Sequence, residues 1–207
     1  MQIIDKNKKF FYPISWFILG MLCFFISQPL LRLPLLNWLQ GTTEFSIWSI
    51  SYPVLLMILI AFSAGIFEEG FRFIFKQFLV RPKESVFLQP LLFGLGHGLM
   101  EVLVLFIPNF TQMLIMGTLF IATVERVIAV ISHIFFTFII WNGFQKNKKV
   151  LHLFLAILAH GLLNTVALIA LFLGLNIWMV EGILALFAFI GIVYIIYSKK
   201  YYGEGSL

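Results

Sequence analysis

Six stretches of this 207-residue chain are each apolar enough, and about long enough at roughly 20 residues, to cross the ~30 Å hydrocarbon core of a bilayer as a helix. They fall at residues 10–31, 53–76, 86–107, 112–141, 150–173 and 177–198. Lipid offers no partner to a free backbone N–H or C=O, so each run must satisfy its own hydrogen bonds as a helix. The expected fold is all-α: a polytopic transmembrane helical bundle of about six spans. Composition agrees, with 61% hydrophobic and 11% charged residues, against about 45–50% and 25% in a soluble domain. No repeat, low-complexity tract or boundary divides the chain, so residues 1–207 read as a single integral membrane domain.

The net charge of +5 does not point to nucleic acid, because the basic residues lie in small clusters between the apolar runs. Lys6, Lys8 and Lys9 precede the first run; Lys76, Arg81 and Lys83 follow the second; Lys146, Lys148 and Lys149 follow the fourth; Lys199 and Lys200 end the sixth. Only Arg32 falls in the first connection, and the third and fifth hold none. By the positive-inside rule both termini are cytoplasmic. Trp38, Trp48 and Trp178 suit the outer interface, and Tyr12, Trp141, Tyr197, Tyr201 and Tyr202 the inner one. Pro13, Pro53 and Pro90 lie near expected helix starts, Pro82 and Pro108 in connections, and LPLLNWLQGTTEF reads as an interfacial segment. The basic N-terminus resembles a signal peptide, but its apolar run lacks a small-x-small cleavage site and is read as a retained span. Cys23, the single cysteine, excludes a disulfide framework and a thiolate metal site.

Charges inside the runs are the informative exceptions. A charged side chain at mid-helix costs about 2.5–3.5 kcal/mol to insert, while each Leu, Ile, Phe or Val returns only about 0.3–0.6. Glu68, Glu69 and Arg72 stand together in the second run, so that helix nearly forfeits its own insertion energy. Such a group is expected to have a use. Both glutamates are within helical reach of Arg72. Two adjacent carboxylates in low dielectric do not both ionise readily, so one can bind Arg72 while the other serves as a general base. A buried ion-pair cluster that locks helices together is the alternative.

Three further runs carry polar groups. The third has His97 and Glu101 on one face, with Gly94 and Gly98 spaced to admit another helix backbone closely. The fourth has Glu125, Arg126 and His133; the consecutive Glu125 and Arg126 face apart, so each is expected to seek a partner on another helix. The fifth has His160 and Asn164 one turn apart, suited either to an oxyanion clamp or to interhelical hydrogen bonding. At about 1.5 Å per residue these groups lie at similar height, in the middle or the cytoplasmic half of the bilayer. His152, Glu181 and Glu84 lie near run ends and read as interfacial. A metal is a further option, held by His97, His133, His160 or Glu69. No HExxH is present, which ranks zinc below a glutamate-activated water.

EExxR at Glu68 to Arg72, FxxxH at Phe93 to His97 and HxxxN at His160 to Asn164 resemble, in order, the motifs of the CPBP superfamily of CAAX proteases and bacteriocin-processing enzymes. The GHGLME string, Glu125-Arg126 and His133 are similar more specifically to YhfC-type intramembrane peptidases, related to PrsW-type glutamic intramembrane proteases. The resemblance covers roughly residues 60–170. It implies that Glu68 or Glu69 with His97 activates a water, that His160 and Asn164 stabilise the oxyanion, and that Arg72, Glu101, Glu125, Arg126 and His133 support them. Two residues separate Glu69 from Arg72 where CAAX proteases usually have three, so either glutamate matches the catalytic one. The implied substrate is a membrane protein or peptide cut within or at the cytoplasmic side of the bilayer, with no nucleic-acid partner, and residue usage leans toward a bacterial plasma membrane. The preferred reading needs no cofactor, with zinc as the alternative. A membrane immunity or regulatory protein that binds a peptide or lipid in the same cavity is the rival reading, and a proton-coupled carrier a further one.

Overall fold

The computed structural model describes residues 6–80 and 85–202, with side chains from residue 13 onward. Arg81, Pro82, Lys83 and Glu84, and the side chains of Lys6, Lys8, Lys9 and Tyr12, lie outside the described residues. Every element among the described residues is helical. Six helices are long and apolar enough to span a membrane: α1 (Pro13–Gln40), α3 (Pro53–Leu79), α4 (Leu88–Ile115), α5 (Leu119–Gln145), α6 (Lys149–Phe172) and α7 (Ile177–Tyr201). The short α2 (Thr43–Ser51) joins the first two, its N-terminus capped by the Thr42 hydroxyl accepting from the Phe45 N–H.

Two boundaries differ from the sequence expectation, both for reasons of backbone chemistry. The third apolar run was expected to end before Pro108. Instead α4 passes through it to Ile115, because a widened turn at Val102–Phe106 and a tighter one at Ile107–Asn109 accommodate the missing proline N–H. The break comes at Gly117, whose φ of 68° is left-handed backbone that glycine adopts without strain. Likewise α1 runs past Pro29 through a widened turn at Ile26–Arg32 and continues to Gln40. Arg32 therefore sits in the first helix and not in a connection.

α5 is the axis of the bundle: 72% of its most apolar stretch is buried inside the protein, against 28–33% for the other spans. α4, α6 and α7 pack on it. As the spacing predicts, Gly94 and Gly98 are where α4 meets α5; a Cβ on either would come within 3 Å of the Ile134 or Val130 Cα. On its other side α4 crosses α1 still more closely, at Gly20 and Gly96.

The end of the bundle bearing Lys146, Lys148, Lys149, Lys199 and Lys200 is tightly packed among the described residues. Phe75, Phe93, Phe138 and Trp141 fill it. Trp141 is wholly buried, not interfacial: its indole N–H donates to Gln89 Oε1 at 2.9 Å and its ring lies 5.0 Å from that of Phe93, tilted by 50°. Lys76, read from sequence as a flanking charge, is also buried, donating to Ser85 Oγ at 2.5 Å and Gln89 Oε1 at 3.0 Å beside the Trp141 ring. Tyr202 is buried too, its hydroxyl donating to Asn142 Oδ1. His152 and Glu181, expected at the interface, are both buried. Trp38, Trp48 and Trp178, toward the opposite end, are exposed.

Candidate functional site

Four helices bring their charged residues to one level. On α3, consecutive side chains point about 100° apart, and this separates the two glutamates. Glu69 turns back along its own helix: both carboxylate oxygens accept from Arg72 Nη1, the Oε2 contact at 2.5 Å. Glu69 Oε1 also accepts from His160 Nδ1 of α6 at 2.8 Å. Glu68 faces away from Arg72. Its Oε1 accepts from Gln28 Nε2 of α1, and its Oε2 from His97 Nε2 of α4 at 2.9 Å. Of the two glutamates in helical reach of Arg72, only Glu69 takes it.

His133 of α5 completes the cluster. Its Nε2 donates to Glu101 Oε2, its Nδ1 lies 3.3 Å from Arg72 Nη2 and 3.7 Å from Glu68 Oε2, and its ring is 4.8 Å from that of His97 and 5.7 Å from that of His160. His97 and Glu101 share a face of α4 without pairing, since each is claimed by another helix. Arg126 donates to Glu101 from Nη1 at 2.6 Å and folds back onto Glu125 from Nε and Nη2. Arg126 thus has the partner on another helix that its position called for, whereas Glu125 pairs with its own neighbour, because the long guanidinium arm spans the 100° between them.

Because a carboxylate only accepts, these contacts fix the tautomers. His97 carries its proton on Nε2, His133 on Nε2 and His160 on Nδ1. The lone pairs left are His97 Nδ1, which is buried with no partner, His133 Nδ1, which faces Arg72, and His160 Nε2, which has no partner among the described residues. The His160 ring lies flat on Phe136, 4.7 Å away and 9° from parallel. Phe24 of α1 meets His97 edge-on.

A cavity of about 320 Å³ opens directly above this level. Glu68, His133 and His160 line it, as do Glu101, Arg126 and Asn164, whereas Glu69, Arg72 and His97 stand behind the lining with no exposed surface. Asn164 makes no side-chain hydrogen bond among the described residues.

Glu68, His97 and His133 each offer one atom such that all three lie within 4.8 Å of one another. Two imidazoles and one carboxylate are donor types that zinc takes, and three protein ligands with an open position are the catalytic pattern; of the two imidazole lone pairs, His97 Nδ1 has no partner and His133 Nδ1 would have to give up Arg72. His133 also has a carboxylate behind it, Glu101, the partner that commonly orients a ligating imidazole. These residues fit a zinc ion. Glu69 and His160, the other candidates from sequence, are hydrogen-bonded to each other, and Glu69 also to Arg72.

The profile of the YhfC intramembrane metalloprotease family matches residues 3–120 and 107–184. The chain belongs to that family. It is an integral membrane protein among the intramembrane proteases, consistent with the broader CPBP and PrsW resemblance. Comparison with curated proteins and with solved structures finds no match.

Sequence reasoning about this YhfC member missed Gln28 and Arg32. Arg32 donates to Gln28 Oε1 at 3.0 Å, Ser63 Oγ at 2.9 Å and the Ile60 carbonyl at 2.8 Å. With its carbonyl engaged by Arg32, the Gln28 amide must turn its NH2 toward Glu68. The available signal was a glutamine and an arginine at i, i+4 in an otherwise apolar run.

Proposed function

We propose that this protein is an intramembrane peptidase whose reacting group is Glu68 and His133 at the floor of the cavity with His97 buried directly behind them, and with His160 as proton carrier. The observation that carries the reading is the convergence of these four side chains, from four helices, beneath a cavity of about 320 Å³. Glu68, His97 and His133 would hold zinc, which when bound supplies Lewis-acid polarisation of the scissile carbonyl.

The chain's own residues account for the rest. Glu69, clamped by Arg72, holds His160 Nδ1–H and leaves Nε2 as a proton acceptor, the relation by which a buried carboxylate orients a catalytic histidine. His160 Nε2 takes a proton from the attacking water and returns it to the leaving amine. Phe136 stacked on the ring restricts its rotation. Asn164, one turn from His160 and lining the same cavity, offers the amide donor for the carbonyl oxygen as negative charge develops there. Glu101 with Arg126 holds His133, and Gln28 with Arg32 holds Glu68, so the reacting group is fixed from both sides.

The test compares membrane-proteome fragments, by mass spectrometry, from cells expressing the native chain with those from cells expressing Glu68→Gln or His160→Gln at equal levels. Fragments seen only with the native chain, and lost in both variants, are the expected result. Fragment sets identical among the three, with all proteins inserted, would refute peptidase activity and favour a binding or regulatory membrane protein.

A further inference from the structure

We infer that the reacting layer is reached from the end of the bundle opposite its basic residues, through a hydrated vestibule, and so takes a substrate segment on the extracytoplasmic side. This rests on the peptidase reading for the substrate and on geometry alone for the access route.

The cavity lies almost wholly to one side of the layer. From Glu68 its wall continues along α3 to Ile60, from His133 along α5 to Glu125, and from His160 along α6 to Leu168. Each is eight residues on, about 12 Å of helix, and each runs toward the end that carries Trp48 and Trp178. Below the layer the lining residues are the aromatic rings Phe24 and Phe136. Beyond them come Arg72, Phe93, Trp141 and Lys76, all fully buried, so among the described residues the cavity does not continue toward the basic end.

The vestibule wall is charged where it is farthest from the layer. Arg32, Glu125 and Arg126 line it, and Glu125 keeps 37% of its side chain exposed. Ionic groups at membrane depth gather around water or one another, and hydrolysis needs water at the floor. Among the described residues, both requirements are met from this end. By the positive-inside rule the sealed, lysine-bearing end is cytoplasmic. The approach expected from sequence at the cytoplasmic side is thereby moved to the outer side, while the reacting layer itself stays at mid-membrane.

The experiment is cysteine accessibility, which does not depend on catalysis. Ala129→Cys and Ala167→Cys place thiols in the vestibule wall, Thr118→Cys reports the open end and Lys148→Cys the sealed end. The native chain, with only the buried Cys23, is the blank. A membrane-impermeant maleimide is applied to intact cells and to inverted vesicles. Both vestibule cysteines should label from the side that labels Thr118→Cys, at least tenfold faster than from the side that labels Lys148→Cys. Labelling from the Lys148 side, or from neither side in both variants, would overturn the inference. If the vestibule labels as expected but no fragments depend on Glu68, the access route stands and the peptidase reading fails; the converse result separates them the other way.

Discussion

Replacing Gly20 by alanine should damage this protein more than its size suggests. A Cβ there would lie 2.0 Å from the Phe93 carbonyl oxygen and 3.0 Å from the His97 nitrogen, while non-bonded atoms settle near 3.5 Å. Helices α1 and α4 must therefore part by about 1.5 Å along that contact. The obstacle is backbone, so no rotamer change relieves it. Overpacking of this kind costs about 1–3 kcal/mol. The second cost falls on chemistry: α1 carries Gln28 two turns further on, and α4 carries His97 within the contact itself. A displacement of about 1 Å at a reacting group can cost about a hundredfold in rate. The measurements are the unfolding midpoint in mixed detergent micelles and the cleavage rate, with Gly182→Ala, whose Cβ would meet nothing within 4 Å, as the control. Gly96→Ala, whose Cβ would lie 2.1 Å from the Phe17 carbonyl, should behave like Gly20→Ala. The double variant should cost less than the sum, because one parting of the helices relieves both. Equal midpoints and rates for Gly20→Ala and Gly182→Ala would refute this account of the α1–α4 crossing.

Arg72→Leu should lower stability by about 3–5 kcal/mol, since it strands the wholly buried Glu69 carboxylate without its cation; pairing it with Glu69→Leu should recover most of the loss on the same unfolding curve while leaving the protein inactive. Gln28→Leu should weaken zinc binding about 10–100-fold and lower kcat more than KM, read by competition with a chromophoric chelator and by kinetics; unchanged zinc affinity would mean that Gln28 does not orient Glu68.

The six helices and most of the charged cluster were legible in the sequence, for one reason. In a bilayer the cost of a charge is so high that every Glu, Arg and His inside an apolar run stands out against its neighbours. Glu68, Glu69, Arg72, His97, Glu101, Arg126, His133 and His160 all announced themselves in this way. What could not be read was pairing. Helical spacing put both glutamates within reach of Arg72 and left open which of them meets His97; the structure gives Glu69 to Arg72, Glu68 to His97 and Glu101 to His133, because interhelical partners supply angles that a single helix cannot. Arg32 and Lys76 were misplaced by the same habit of treating a basic residue near a run end as a solvent marker. Each instead ends in buried hydrogen bonds, Arg32 on Ser63 and Ile60, Lys76 on Ser85 and Gln89. Proline misled about α4 because the chain absorbs Pro108 in two irregular turns and breaks at Gly117.

The plug of Phe93, Trp141 and their neighbours at the closed end also bears on electrical insulation. A hydrolase that conducts water to mid-membrane risks leaking protons, and it thins the barrier that sustains the membrane potential. With the vestibule hydrated, most of the voltage would fall across the packed half alone, where each elementary charge is worth about 2.3 kcal/mol per 100 mV across the full drop. Fully buried aromatic rings, with the Lys76 ammonium 5.1 Å from the centre of the Trp141 ring, fill that half with protein. A residue such as Trp141 would then matter to the cell even where it does nothing for cleavage. Opening the plug would yield an enzyme that still cuts but shunts the membrane it sits in.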